Sequence, residues 1–555
     1  MQRPDSTNRA PDTSRLWLLL YAAVAVFAGG FCWVVGHRGV FLLDQSILFD
    51  GAWRVVQGQT QYRDFFSAFP PMAFWIQALF FRLCGVTFSS TVLSAAFLNV
   101  VATICVMFLI ARLLPGQKIC AAMGGLLTAV WFQAPYGTLW FEQTAFAFNL
   151  VGLTLIVYAG LRQDSTSVWL RFAAGVFLVA AALGKQNAGL EFIPFAFGLA
   201  ALPSIRQPAK ALRLAGPIAA GFLAAASVFA FWLWMNSSFG AFWHDYFAMA
   251  AQIENERTTS VFRLAQSFLV RMITPRYMLA LVALALVWFS KKPDSGIPNQ
   301  NLIQWIALGM ILFQDLFLLH SFNEEENSLP YLGVIYGLAL ALFVERSRRW
   351  IERRIKDADR PLAWSVVALL SVLAFGVMFA DGLATSWYRT VQQFDAQTSF
   401  GEPLKSPGLS GVWWGKPTPI ARPEWRKVDL SRNDFEGLNA WLTATDANFF
   451  VFKDATMLYG LHQRISPQPW LYFSPGHGFR KDELARVDAE VVASLRRNHV
   501  EVIIVENETW VDVGLLEKMP KLAAFIADDF KKVREFGAFD AYQIRPSDVT
   551  AGISH

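Results

Sequence analysis

Long apolar runs separated by short polar breaks fill the first two thirds of the chain, and the last third changes to short alternating stretches. A helix needs about 20 apolar residues to cross the hydrocarbon core of a bilayer. Runs near that length lie at residues 16–35, 90–111, 119–135, 143–160, 168–184, 188–202, 212–235, 277–290, 302–320, 330–345 and 362–380. They predict a polytopic α-helical membrane protein with about 11 transmembrane helices. The first run lacks the small-residue cleavage site of a signal peptide and reads as a retained helix. PPMAFWIQALFFRLCG (70–85) is apolar too, but as a span it would invert every later loop, so it reads as an amphipathic helix in the interface.

Charge sets the orientation. With residues 1–15 inside, the cytoplasmic loops hold most of the Lys and Arg, seven of them between Arg346 and Arg360. Loops 36–90 and 236–276 then face outward, and residues 16–381 form the membrane domain. An odd number of spans puts residues 382–555 outside as a soluble α/β domain. In it NFFVFKDA and VEVIIVE read as buried strands, and KDELARVDAEVVASLRRN and DVGLLEKMPKLAAFIADDF as helices. The composition agrees, with 54% hydrophobic and only 16% charged residues. Cys32, Cys84, Cys105 and Cys120 lie in or beside apolar stretches without metal-ligand spacing. There is no Walker loop and no GxGxxG after a strand, so an activated group must come from the substrate or a partner. Nothing in the pattern calls for nucleic acid.

The chemistry-bearing residues gather in the outer loops. From Asp44 to Gln57 the pattern predicts a helix with Ile47, Leu48, Ala52, Val55 and Val56 on its apolar face and Gly58 ending it. Asp44 either caps that helix or offers a carboxylate to a cavity. Asp50 and Asp64 read as shaping the loop, Asp50 facing water and Asp64 pairing with Arg63 or Arg54. QTQYRDFF (59–66) adds Tyr62, Arg63 and Asp64 as substrate contacts.

An acid at the end of the first helix, an aromatic, a small residue and Gly at helical spacing, then Tyr-Arg-Asp-Phe and a Pro-Pro helix start, resemble the first outer loop of GT-C glycosyltransferases. The likeness is nearest to the branch of protein O-mannosyltransferases and lipid A aminoarabinose transferases. That resemblance implies a GT-C fold, a sugar donor carried on a polyprenyl phosphate, and transfer on the outer face of a bacterial inner membrane. It implies Asp44 as catalytic base, Glu142 in YGTLWFEQTAF as a second acid, and Lys185 in GKQNAGL as the basic residue between the fifth and sixth helices. Gln45 stands where the family often has another acid, so no cofactor is fixed and a divalent metal stays open.

Displacement of a sugar from phosphate needs an acceptor hydroxyl in line, a base for its proton and positive charge on the leaving group, without a protein nucleophile. Asp44 suits the base and Lys185 the phosphate; snorkelling is the plain alternative for Lys185, and pairing with a loop arginine for Glu142. Arg271 and Arg276 flank Pro275 and either snorkel or hold the donor phosphate. His244 and Asp245 in AFWHDYF form a pair in the second outer loop, weak as a metal site with a single His. Glu324, Glu325 and Glu326 are a solvated face or line an acceptor groove, and YFSPGHGF (472–479) is a carbohydrate contact or an ordinary loop. The expected function is a glycosyltransferase inverting at the sugar, with a lipid, polysaccharide or protein acceptor on the periplasmic face; the alternative is a transporter or flippase of lipid-linked sugars.

Overall fold

A computed structural model describes residues 13–40, 42, 44–162, 165–201, 204, 206–249, 302–303, 305–306, 309–310, 330–387, 403–414, 431–476, 478–507 and 514–545. The spans expected at 277–290 and 302–320 lie wholly or largely outside these residues, as do Arg271, Arg276 and the Glu324 to Glu326 run.

The chain is mostly helical. Helix α1 (Thr13–Gly36) leads to α2 (Asp44–Val56) and α3 (Pro71–Cys84), followed by α4 (Phe88–Leu113), α5 (Lys118–Trp131), α6 (Phe141–Leu161) and α7 (Thr166–Ala182). Two short helices, α8 (Gln186–Leu190) and α9 (Phe192–Ala201), precede α10 (Pro208–Met235), α11 (Phe239–Phe242) and a π-helical segment Trp243–Met249. Helices α12 (Leu332–Arg354) and α13 (Arg360–Trp387) complete the bundle. Among the described residues five helices are long and apolar enough to cross a membrane: Arg15–Gly36, Phe88–Leu113, Phe141–Leu161, Pro208–Met235 and Asp357–Trp387. The stretch expected as one span at 188–202 is broken between α8 and α9 instead. Helix α3 has 14 residues, too few to span at 1.5 Å per residue, and the two prolines at its start agree with a fixed entry.

Asn99 pins the bundle internally. Its amide donates to Ala28 O at 3.0 Å and Ala129 O at 2.9 Å, and its Oδ1 accepts from Gln133 N at 3.1 Å, so α1, α4 and the end of α5 share one buried side chain.

The C-terminal residues form α14 (Arg432–Thr445), β1 (Phe449–Phe452), α15 (Met457–Leu461), α16 (Leu484–Arg497), β2 (Val502–Glu506), α17 (Pro520–Asp529), β3 (Phe530–Phe536) and β4 (Phe539–Ile544). The sheet order is β1-β2-β4-β3, with β1 parallel to β2 and the other pairs antiparallel. Both faces are covered, which is why FFVF and VIIV read as continuous apolar runs. Phe450, Phe452, Ile503 and Val505 pack under α16 and α17, while Phe449, Val451, Val502 and Ile504 face α14.

That second face also carries the first loop. Phe49 and Trp53 of α2 and Phe81 of α3 belong to the same buried cluster as Phe449, Tyr459 and Leu461. Gly460 allows the approach, because a Cβ there would lie 2.6 Å from the Phe49 ring.

Candidate functional site

Glu142 and Lys185 meet. Lys185 Nζ lies 2.8 Å from Glu142 Oε1, with the side chains 20% and 5% exposed respectively. Two local features bring them together. Glu142 sits in the first turn of α6, and Lys185 immediately precedes α8 in an extended conformation. Gly184 lets that turn press on α6, since a Cβ there would meet Ala145 N at 2.8 Å. Glu142 Oε2 is buried and has no hydrogen-bond partner among the described residues.

Three loops close around the pair. Phe69, from the turn before α3, stacks on Phe141 at 4.4 Å, and Lys185 Nζ lies 5.3 Å from the Phe69 ring centre. Gln186 Nε2 donates to Ala68 O at 3.1 Å and Tyr246 O at 3.2 Å, while Tyr246 OH donates to Ala182 O at 2.8 Å. Tyr472, from the C-terminal part, approaches Phe69 at 6.1 Å between ring centres. The carboxylate-ammonium pair therefore lies where segments 60–70, 183–186, 243–249 and 470–474 converge.

The remaining expected residues distribute around this point. Asp44 opens α2. Its neighbour Gln45 donates to Thr138 Oγ1 at 3.2 Å, tying the start of α2 to the loop that leads into Glu142. Tyr62 is buried with φ +70° and packs edge-on against Phe242 at 5.3 Å. Arg63 and Asp64 close on each other at 2.7 Å on an exposed edge, and the Arg63 hydrogen bonds hold the Asp64 carboxyl below the usual range. His244 Nδ1 lies 2.9 Å from Asp245 Oδ1, and burial pushes the Asp245 carboxyl up against the opposing effect of His244. Among the described residues no three His, Cys, Asp or Glu side chains converge as a metal site.

Asp50 departs from the expectation of a water-facing residue. It is fully buried, and Arg54 Nε donates to its Oδ2 at 3.0 Å. Arg54 also donates to Gln468 O at 2.8 Å and Trp470 O at 3.3 Å. Sequence reasoning missed this clamp along with Phe69, Gln186 and Tyr246; the Gln beside Lys185 and the aromatics of 472–479 were the available signals.

Residues 69–234, the segment that holds Phe69, Glu142 and Lys185, match the family model described as dolichyl-phosphate-mannose-protein mannosyltransferase. The structure is similar to that of ArnT from Cupriavidus metallidurans in the apo state, with TM-score 0.55 and 14% identity over 96% of this chain and 99% of that one. It is also similar to the same protein bound to undecaprenyl phosphate, with TM-score 0.53 and 12% identity over 97% and 99% of the two chains. The chain has a GT-C fold. No curated protein matches it in sequence. Within the GT-C frame the matched segment runs from the turn before α3 nearly to the end of α10, so it holds Phe69, Glu142 and Lys185, while segments 243–249 and 470–474 lie beyond it.

Proposed function

We propose that this protein is an inner-membrane glycosyltransferase that moves a sugar from a polyprenyl-phosphate donor to an acceptor hydroxyl on the periplasmic face. The observation that carries the reading is the Glu142–Lys185 pair, a partly exposed ammonium and a buried carboxylate at the convergence of the loops, inside the segment matched by the mannosyltransferase model. The distribution of Lys and Arg supports placing those loops, and residues 382–555, on the outer side.

In the reaction the acceptor oxygen attacks the anomeric carbon opposite the phosphate. The carbon–oxygen bond to phosphate breaks as the new glycosidic bond forms, the configuration inverts, and the bonding pair leaves on the phosphate oxygen. Lys185 supplies positive charge to that oxygen. Asp44 takes the acceptor proton; its place at the start of α2 and the Gln45–Thr138 link to the Glu142 loop support that role. Tyr62, Arg63, Asp64, His244, Asp245 and Glu326 contact the substrates, and Arg271 and Arg276 add charge for the phosphate. The C-terminal domain positions that acceptor.

The test is Asp44→Asn in the intact chain. Loss of glycosylated product, with normal expression and a normal distribution of donor lipid across the membrane, is the expected result. Unchanged product would remove Asp44 as base, and a shifted donor-lipid distribution would favour a flippase.

A further inference from the structure

The pairing of Lys185 with Glu142 poses a problem for a phosphate site, because the ammonium meant for the donor is already taken. Two observations resolve it. First, the pairing is incomplete: Glu142 has one oxygen on Lys185 and the other buried without a partner among the described residues. A buried carboxylate left half satisfied is costly. Glu345 shows the contrast within this protein, since its carboxylate accepts from Arg348, Arg349 and Gln117 together. Second, the surroundings are built for a polar occupant. Gln143, next in the same turn, is fully buried, and neither its amide nitrogen nor its oxygen has a partner among the described residues. Among the described residues no side chain caps the start of α6, so the positive end of the helix dipole lies at the turn that carries Glu142 and Gln143.

We propose that the Glu142 carboxylate holds the place of the donor's phosphate on Lys185, and that donor and product phosphate enter and leave by exchange with it. The inference rests on the reading of Lys185 as the phosphate ligand. On binding, the phosphate takes the ammonium and the Glu142 side chain turns away. After transfer the leaving polyprenyl phosphate carries more negative charge than the diester donor did, and Lys185 would hold it strongly. The returning carboxylate competes for the same ammonium and expels it. Glu142 thus acts on product release, a role distinct from removing the acceptor proton.

The experiment measures binding of undecaprenyl phosphate and, separately, of inorganic phosphate to the purified full chain in detergent micelles. Glu142→Gln is expected to bind undecaprenyl phosphate about tenfold more tightly than the wild type, and to show stronger product inhibition in turnover. Glu142→Asp, which draws the carboxylate back by one methylene while keeping its charge, is expected to lie between them. It also serves if the Gln variant fails to fold. Lys185→Gln should bind weakly, and the double variant should match it, because the carboxylate has nothing left to compete for. Unchanged or weaker binding in both Glu142 variants overturns the exchange. Inorganic phosphate bound as tightly as the lipid would make free phosphate the ligand and refute the donor assignment while leaving the exchange standing. No binding of either probe by any variant overturns the phosphate reading of Lys185 and the exchange together.

Discussion

Arg54 shows what one side chain does in this protein. Its guanidinium holds Asp50 on α2 and two backbone carbonyls, Gln468 and Trp470, more than 400 positions later, and it is 1% exposed. Removing one partner of a buried ion pair leaves the other charge unpaired and costs about 3–5 kcal/mol. Arg54→Leu should therefore lower the melting temperature of the purified protein markedly, and Arg54→Lys should rescue little, since one ammonium cannot replace the planar fork. Burial pushes the Asp50 carboxyl up to about 6 from 3.8, with Arg54 opposing only part of the rise. The folded chain then holds the proton more tightly than the unfolded one, so this group's contribution to stability falls as pH rises from 3.8 through about 6. Asp50→Asn should flatten that part of the stability curve, measured as melting temperature against pH; an unaltered slope would show that other groups set it.

Between elements, backbone approach at glycine decides the packing. In the α7–α10 contact a Cβ at Gly175 would lie 2.0 Å from Ile218 O, and one at Gly221 would lie 1.9 Å from Phe172 O. Neither carbonyl can move without its helix. Small residues at such crossings let membrane helices pack closely where no hydrophobic effect drives them together. Gly221→Ala should force α7 and α10 apart at a cost of about 1–3 kcal/mol, the usual scale for overpacking. Because α7 ends just before Gly184 and Lys185, the same variant should weaken donor binding as well as lower the melting temperature. A variant as stable as the wild type, with unchanged donor KM, would contradict the packing argument.

Across the whole molecule, the first loop and the C-terminal sheet share one core. Phe49, Trp53 and Phe81 are buried against Tyr459 and Leu461, and Trp53 Nε1 donates to Arg464 O at 2.6 Å. Phe66 N donates to Pro469 O at 3.0 Å, just before the turn that carries Phe69 to Lys185. The sheet is therefore a support for the loop, and not only an appendage. A chain ended at residue 402 should expose the apolar face of α2, elute as aggregate on size exclusion in detergent, and lose glycan product although Glu142 and Lys185 are intact. Full activity and a monodisperse profile would show that the loop stands alone.

The sequence by itself determined what local energetics control. A helix in lipid must satisfy its own backbone hydrogen bonds, so apolar runs located α1, α4, α6, α10 and α13 closely, whereas α12 runs nine residues past the apolar stretch that announced it. Gly58 ended α2 as its φ of +84° requires, and the two apolar strands β1 and β2 were legible because both faces are buried. Strands β3 and β4 were not legible. FKKVREF is exposed along most of its length, and only its pairing with β4 makes it a strand. Glu142 and Lys185 could be picked out singly, as ionisable residues at span ends, but their contact depends on Gly184 against α6, a packing fact that no periodicity encodes. Asp50 could not be read at all. Its burial is decided by residues at the far end of the chain, and whether a carboxylate on a helix meets water or an arginine depends on what the tertiary structure lays over that face.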